Sequence, residues 1–386
     1  MLSIAVPSIV SKRLRFLPLA RGGHSDRVLL SLAISLAAFG LVMVYSASYI
    51  FSQEKVGDGL YYFNKHIVFL CIGFTSMTIC RFVDYKFWQR VAPYLFFGSL
   101  GLVALTLIPG VAHKALGASR WINVGGFTLQ PVEISKITLV MFMAMRLTRP
   151  GQDFNKITTG FFQHLWPPVL MVALCMLQPD FGSSALVIAT TAFLLYLSGV
   201  RFKYLAGAAA AVTPMLVAAM LLAPYRRARV MTFLDPWADP QGSGFQIVQS
   251  FIAFYRGGLF GAGLGNSRAK VFYLPEAHND FILSVVGEEL GFIGIGILSC
   301  AFIFLIFRGI RVSAKADTKF GSVLAAGLTI LLGLSVFWNA AIVLGMFPTK
   351  GMNMPFISSG GTSVLCTLSI VGILLNISAQ AKKDAR

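Results

Sequence analysis

Between Tyr273 and Glu289 the chain reads YLPEAHNDFILSVVGEE, and five side chains there could do chemistry: Glu276, His278, Asp280, Glu288 and Glu289. Carboxylates and imidazoles are common proton carriers in general acid–base catalysis. Here they border and enter an apolar run. A charge at membrane depth costs roughly 2.5–3.5 kcal/mol on insertion scales, and only 12% of the chain is charged. The pattern points to a catalytic or binding site at a membrane surface. Asp280 precedes FILSVVG and admits two roles. As a helix N-cap it would accept hydrogen bonds from free N–H groups. As a general base it would take a proton from a substrate, and an N-cap bond would lower its pKa and weaken it. Glu276 and His278 are near enough to orient a substrate or raise that pKa. Glu288 and Glu289 fall two turns into the apolar run, about 100° apart around a helix. Their expected role is an ion pair with a buried cation such as Lys136 or Arg120.

The elements that must position these groups are membrane helices. The 386 residues are 56% hydrophobic with a mean hydropathy of +0.75. A soluble domain is about 45–50% apolar by a count that includes glycine; this count leaves out 37 glycines. The expected fold is all-α and polytopic. Ten segments are apolar for about 20 residues, the length a span needs: 28–50, 62–80, 90–109, 131–148, 162–178, 181–199, 203–223, 281–307, 320–346 and 360–379. Gln178-Pro179-Asp180 reads as a tight turn, or a break near the far interface, between the fifth and sixth. Basic residues follow every second span (Arg81, Lys86, Arg90; Arg146, Arg149, Lys156; Arg201, Lys203; Arg308, Arg311, Lys315, Lys319). They alternate correctly with the basic N-terminus, so both termini are expected in the cytoplasm. That leaves 110–130, 224–280 and 347–359 outside. The chain divides into a tail (1–27), one membrane domain (28–379) and a second tail (380–386). The net charge of +17 is then the usual excess of cytoplasmic Lys and Arg, and nucleic acid is not an expected partner. Cys71, Cys80, Cys175, Cys300 and Cys366 lie in apolar segments without CxxC, and no HExxH occurs, so no metal site is expected from these residues.

Three further stretches carry polar groups towards the outer side. In GASRWINVGGFTLQPVEISK (117–136), Gln130-Pro131 opens the fourth span with Pro where its missing N–H costs nothing. Glu133 and Lys136 share a helix face and can pair, either as a closed salt bridge or as the polar lining of a cavity. Arg120 beside Trp121 suits a phosphate contact next to an interfacial anchor. The 224–280 connection is too long for a turn and carries Arg226, Arg227, Arg229, Arg256, Arg268 and Lys270, which read as an anion site in preference to a merely solvated loop. Its GGLFGAGLGN (257–266) lacks the strand that a dinucleotide loop requires, so a short re-entrant or interfacial helix is expected. FPTKGMNMPFISSGG (347–361), with Lys350 and Ser358, is irregular backbone that should line a cavity or be buried in protein.

Taken in order, LVMVYSAS (41–48), GASRWINVGG with QPVEISK, QPDFGSS (178–184), YRRARVMTFLDPWADPQGSGFQIVQS (225–250), GGLFGAGLGNSRAKVFYLPEAHNDFI (257–282), GEELGFIG (287–294) and FPTKGMNMPFISSGGTS (347–363) resemble the SEDS family of bacterial membrane glycosyltransferases over residues 28–379. LPEAH and LVMVYSAS are more similar to the division-type FtsW branch than to the elongation-type RodA branch. Val132, Phe245, Phe272 and Ser359 depart from the usual pattern, which touches hydrogen-bonding detail rather than reaction class. The resemblance implies polymerisation of lipid II into β-1,4 glycan strands at the outer face of the inner membrane, in septal wall synthesis. It implies a class B penicillin-binding transpeptidase as partner, with other division membrane proteins. The family's essential aspartate falls on Asp280. Arg226, Arg227, Arg229, Arg268, Lys270 and Lys350 are the implied pyrophosphate contacts, with Arg120, Gln130, Glu133 and Lys136 along the cavity's inner side. A divalent cation (Mg or Mn) could share the pyrophosphate. The rival reading is a lipid II flippase, which should show repeated halves with paired broken helices; the sequence shows no such repeat.

Overall fold

The structure, a computed structural model, describes residues 25–109, 112–115, 118–125, 127–222, 231–270, 274–275 and 277–381. Arg226, Arg227, Arg229 and Glu276 lie outside the described residues, as do most of both basic tails. All ten expected spans are helices: α1 Arg27–Val56, α2 Tyr61–Phe82, α3 Tyr85–Leu105, α4 Pro131–Leu147, α5 Gln163–Leu177, α6 Phe181–Leu197, α7 Phe202–Leu222, then α9 Ile282–Lys315, α10 Lys319–Val343 and α11 Gly361–Ala379. A single π turn, Thr158–Phe162, leads into α5. Six of these helices, counting α5 with its π turn, are long and apolar enough to cross a membrane.

Their ends are set by capping chemistry. Asp26 accepts from the Leu29 N–H at the start of α1, and Gly57, at φ 79°, closes it. Asp84, Asp180 and Thr318 cap α3, α6 and α10 with their side chains. Pro131 occupies the first turn of α4 as expected. The Asp26 carboxylate also pairs with Arg308 on α9, and its N–H donates 3.0 Å to Ser378 Oγ on α11. The start of α1 and the end of α11 therefore share one end of the bundle. Residues 106–130, 178–180 and 344–360 join helices at the other. α11 packs against α1, α2, α3, α4, α9 and α10 and is the central post.

Two features depart from the expected helices. The 110–130 connection holds a three-stranded antiparallel sheet: β1 Ala112–Ala115, β2 Ala118–Val124 and β3 Phe127–Leu129, with Ile122 opposite both Ala112 and Leu129. The expected interfacial helix over 257–266 is displaced in sequence. An amphipathic helix, α8 Phe245–Gly257, precedes it, and 258–266 forms turns with Gly258, Gly261, Gly263 and Gly265 at positive φ. Those turns serve a break in α9. Gly291 (φ 67°, ψ −166°) interrupts that helix. The Ala262 and Gly263 N–H groups donate to the carbonyls of Glu288 and Glu289 (2.9 and 3.1 Å). The Phe292 and Ile293 N–H groups donate to Gly258 and Leu259 (2.9 and 3.1 Å). Non-helical backbone at this depth is thus satisfied inside the protein, as a membrane requires.

Candidate functional site

α4, α6, α10, α11 and the 351–355 segment enclose a polar cavity at the loop-rich end of the bundle. Gln130, Glu133 and Lys136 come from α4 and its cap, Ser183 from α6, Ser335 from α10, Ser363 and Thr367 from α11, and Gly351 and Asn353 from the segment. The cavity's volume is ≈ 40 Å³, room enough for water. Glu133 and Lys136 pair at 2.7 Å, with Lys136 only 6% exposed. The i, i+3 spacing therefore gives both a salt bridge and a lined cavity, where the sequence presented them as alternatives.

Asp280 adjoins this cavity through Gly351, one of its lining residues. It is not the cap of α9: that position is Phe281, without a side-chain hydrogen bond. The carboxylate lies instead against Gly351, where any Cβ would collide with Asp280 Oδ2. The missing side chain of Gly351 is what lets the Asp280 carboxylate approach the backbone there. Residues 278–280 are held by polar bonds from the following loop. Ser358 Oγ donates to the Asn279 carbonyl at 2.6 Å and accepts from Met354 N–H at 2.7 Å. The Ser359 N–H donates to the His278 carbonyl at 3.1 Å, and Ser359 Oγ bonds Asn279 Oδ1.

Several expected contacts move to other roles. Ser358 is fully buried and clips the Asp280 segment rather than reaching a substrate. The His278 ring is buried between Phe51 and Tyr62, with centroids 5.0 and 4.9 Å away, so aromatic packing claims it. Lys270 is not an outward anion contact. It pairs with Glu289 at 3.0 Å, with side chains 6% and 0% exposed, and donates to Ser46 Oγ and the Gly265 carbonyl. This also corrects the partners expected for the glutamates. Glu289 takes Lys270 and Ser46, not Lys136 or Arg120. Glu288 accepts from Ser267 Oγ and the Ala269 N–H. Arg268, between those two anchored residues, is exposed.

Arg120 and Lys350 meet at the 178–180 turn. Arg120 on β2 donates to the Gln178 and Pro179 carbonyls at 3.2 and 2.6 Å, so it braces the turn instead of lining the cavity. Lys350 pairs with Asp180 at 3.0 Å, and its ammonium lies 5.0 Å from the Phe181 ring centroid. Burial alone would raise the Asp180 carboxyl, but the Lys350 ammonium and the Arg120 guanidinium hold it below the ordinary carboxylate range, with hydrogen bonds from Ser183 and Lys350. The site thus joins a buried Glu–Lys pair that lines the cavity with a carboxylate and a second braced ion pair that adjoin its lining residues Gly351 and Ser183. Such an arrangement can accept a proton from a hydroxyl at its rim. Among the described residues, no group of three or more His, Cys, Asp or Glu side chains comes together.

The chain is similar to known proteins over nearly its whole length. A family model described as "Cell cycle protein", for FtsW, RodA and SpoVE, matches residues 26–383. A probable peptidoglycan glycosyltransferase FtsW of Geobacter metallireducens is 42% identical over 357 residues, 92% of this chain and 95% of that one. Stage V sporulation protein E of Bacillus subtilis is 36% identical, covering 92% and 98%. Among solved structures, a chain from a peptidoglycan synthase complex that coordinates polymerization and crosslinking is 25% identical with a TM-score of 0.76, covering 93% and 99%. The rod shape determining protein RodA of Thermus thermophilus gives 0.69 at 24% identity, covering 93% and 98%, and shares the fold.

Proposed function

The chain belongs to the FtsW, RodA and SpoVE family of cell cycle proteins, and from that premise we propose its reaction. It is a multi-pass membrane glycosyltransferase that polymerises peptidoglycan glycan strands from lipid II, with Asp280 as the general base. The observation that carries the assignment is the Asp280 carboxylate laid against Gly351, a residue that lines the polar cavity.

Lipid II is an α-linked sugar pyrophosphate, and the new bond is β-1,4. A single displacement with inversion accounts for both. Asp280 takes the proton of the acceptor's 4-hydroxyl as that oxygen bonds the donor's C1. The C1–O bond to the pyrophosphate breaks, and undecaprenyl diphosphate leaves with the electron pair. A general base contributes typically 10²–10⁴-fold. The exposure of Arg268 supports it as a cation that meets the pyrophosphate, and Arg226, Arg227 and Arg229 belong to the same long connection. A divalent cation, where one is bound, would share that charge by neutralising the departing pyrophosphate.

The loop-rich end faces out of the cytoplasm in this reading, with both termini inside. The alternation of basic loops supports it. The likeness to a chain of a synthase complex that couples polymerization with crosslinking supports a class B penicillin-binding transpeptidase as partner. The FtsW relatives support a place at the division site with other division membrane proteins. The test is polymerisation of labelled lipid II by the purified full chain with its transpeptidase. Asp280→Asn is expected to abolish strand formation while leaving the protein folded and inserted. Strand synthesis by that variant at the parent rate would sink the assignment.

A further inference from the structure

Buried polar side chains in a membrane helix are costly, so each one needs an account. Asn339 lies near the C-terminal end of α10 and is 1% exposed. Its Nδ2 donates to the main-chain carbonyl of Asp280 at 2.9 Å and to the main-chain carbonyl of Met352. One segment carries the base; the other forms part of the cavity wall. Both acceptors are carbonyls, which fixes the amide orientation: the NH₂ must face them. Its Oδ1 is buried without a hydrogen-bond partner. The side chain is therefore retained for its two donors, at the cost of an unpaired acceptor.

We propose that Asn339 is a positioning residue for the polymerisation reaction, fixing the Asp280 backbone to the Met352 wall so that the carboxylate keeps its distance from an acceptor hydroxyl. The assignment rests on Asp280 being the base. A primary amide suits the task because it presents two N–H bonds from one nitrogen on a short stem. An aspartic acid of the same shape offers at most one O–H donor when protonated and none when ionised. A serine offers one. Either replacement releases at least one of the two carbonyls. A misplacement of about 1 Å in a reacting group costs on the order of 10²-fold in rate. Asn339 does not touch the substrate, so the loss belongs in kcat.

The test uses the full chain with its transpeptidase, reconstituted in liposomes and supplied with labelled lipid II. Asn339→Asp and Asn339→Ser are compared with the parent and with Asp280→Ala. The expected result is a kcat lowered about 10–100-fold in both Asn339 variants, KM within about twofold, and a monodisperse, folded protein. Three results would overturn the inference. They are a kcat within about twofold of the parent in either folded variant, KM rising in step with the loss of kcat, or loss of the folded protein in both, which would make Asn339 a structural clip. Asp280→Ala separates the two levels. Its retaining parent activity removes the base assignment itself, whereas a dead Asp280→Ala beside a fully active Asn339→Asp removes only the positioning role.

Discussion

Replacing Lys270 by Met is expected to destabilise the protein strongly while leaving its affinity for lipid II unchanged. In sequence Lys270 stands among outer-loop cations and reads as a pyrophosphate contact. In the structure its ammonium is 3.0 Å from Glu289 Oε1, with both side chains shut away from solvent. At that distance and an effective dielectric of about 20, the attraction is about 5–6 kcal/mol, offset by the desolvation of both ions. Met preserves much of the stem's volume but leaves the Glu289 charge with the Ser46 hydroxyl and takes the ammonium donor from the Gly265 carbonyl. Breaking one side of a buried pair costs about 3–5 kcal/mol. The double change Lys270→Met with Glu289→Leu removes both charges and should recover much of that loss. Unfolding of the purified chain, followed by circular dichroism in a denaturant series, reads the stability; polymerisation at limiting and saturating lipid II reads the substrate role. A Lys270→Met protein as stable as the parent, but needing far more lipid II, would refute this placement.

Two further outcomes can be checked on the same preparation. Gly261→Ala is expected to cost about 1–3 kcal/mol, because Gly261 has φ +84° and its Cβ would strike the Glu289 carbonyl. Gly265→Ala should cost less, since Gly265 has a similar φ of +83° but open space around it. Equal melting of the two variants would remove the packing argument. The Asp180 carboxyl titrates below its ordinary 3.8 in the folded chain. Its ion pair therefore contributes fully above the unfolded value and fades as pH falls through the lowered folded value. Asp180→Asn should melt earlier than the parent at neutral pH, with the gap closing in acid; a gap independent of pH would count against the pairing.

The sequence made the helices legible because each span needs about 20 apolar residues and little else. Pro131, Glu133 and Lys136 were legible too, since a first-turn Pro and an i, i+3 pair are local geometry. What failed were choices between partners far apart in the chain. Local spacing nominates Asp280 as a cap, but the chain turns so that Phe281 takes that position and the carboxylate turns to Gly351. Lys350 and Lys270 look alike as loop cations, yet only the fold shows that Asp180 and Glu289 neutralise them. His278 could not be assigned to Phe51 and Tyr62 without knowing that α1 and α2 adjoin it. Asn339 did leave a signal: it is a lone amide in an otherwise apolar stretch of α10. Its two carbonyl partners belong to segments that spacing alone does not bring together.

The exchange of backbone bonds at Gly291 has a mechanical corollary. A broken helix in a bilayer would ordinarily be a hinge, but here the turns at 258–263 splint the fracture with four hydrogen bonds. The stub 282–290 and that splint must then travel as one lever. Asp280 rides at the head of the lever, and Arg268 rides on the chain leaving the splint, fastened beside it through Glu288. The break is thus a joint braced from both sides rather than a free swivel, and the Asn339 amide ties its head to α10 and the Met352 backbone as well.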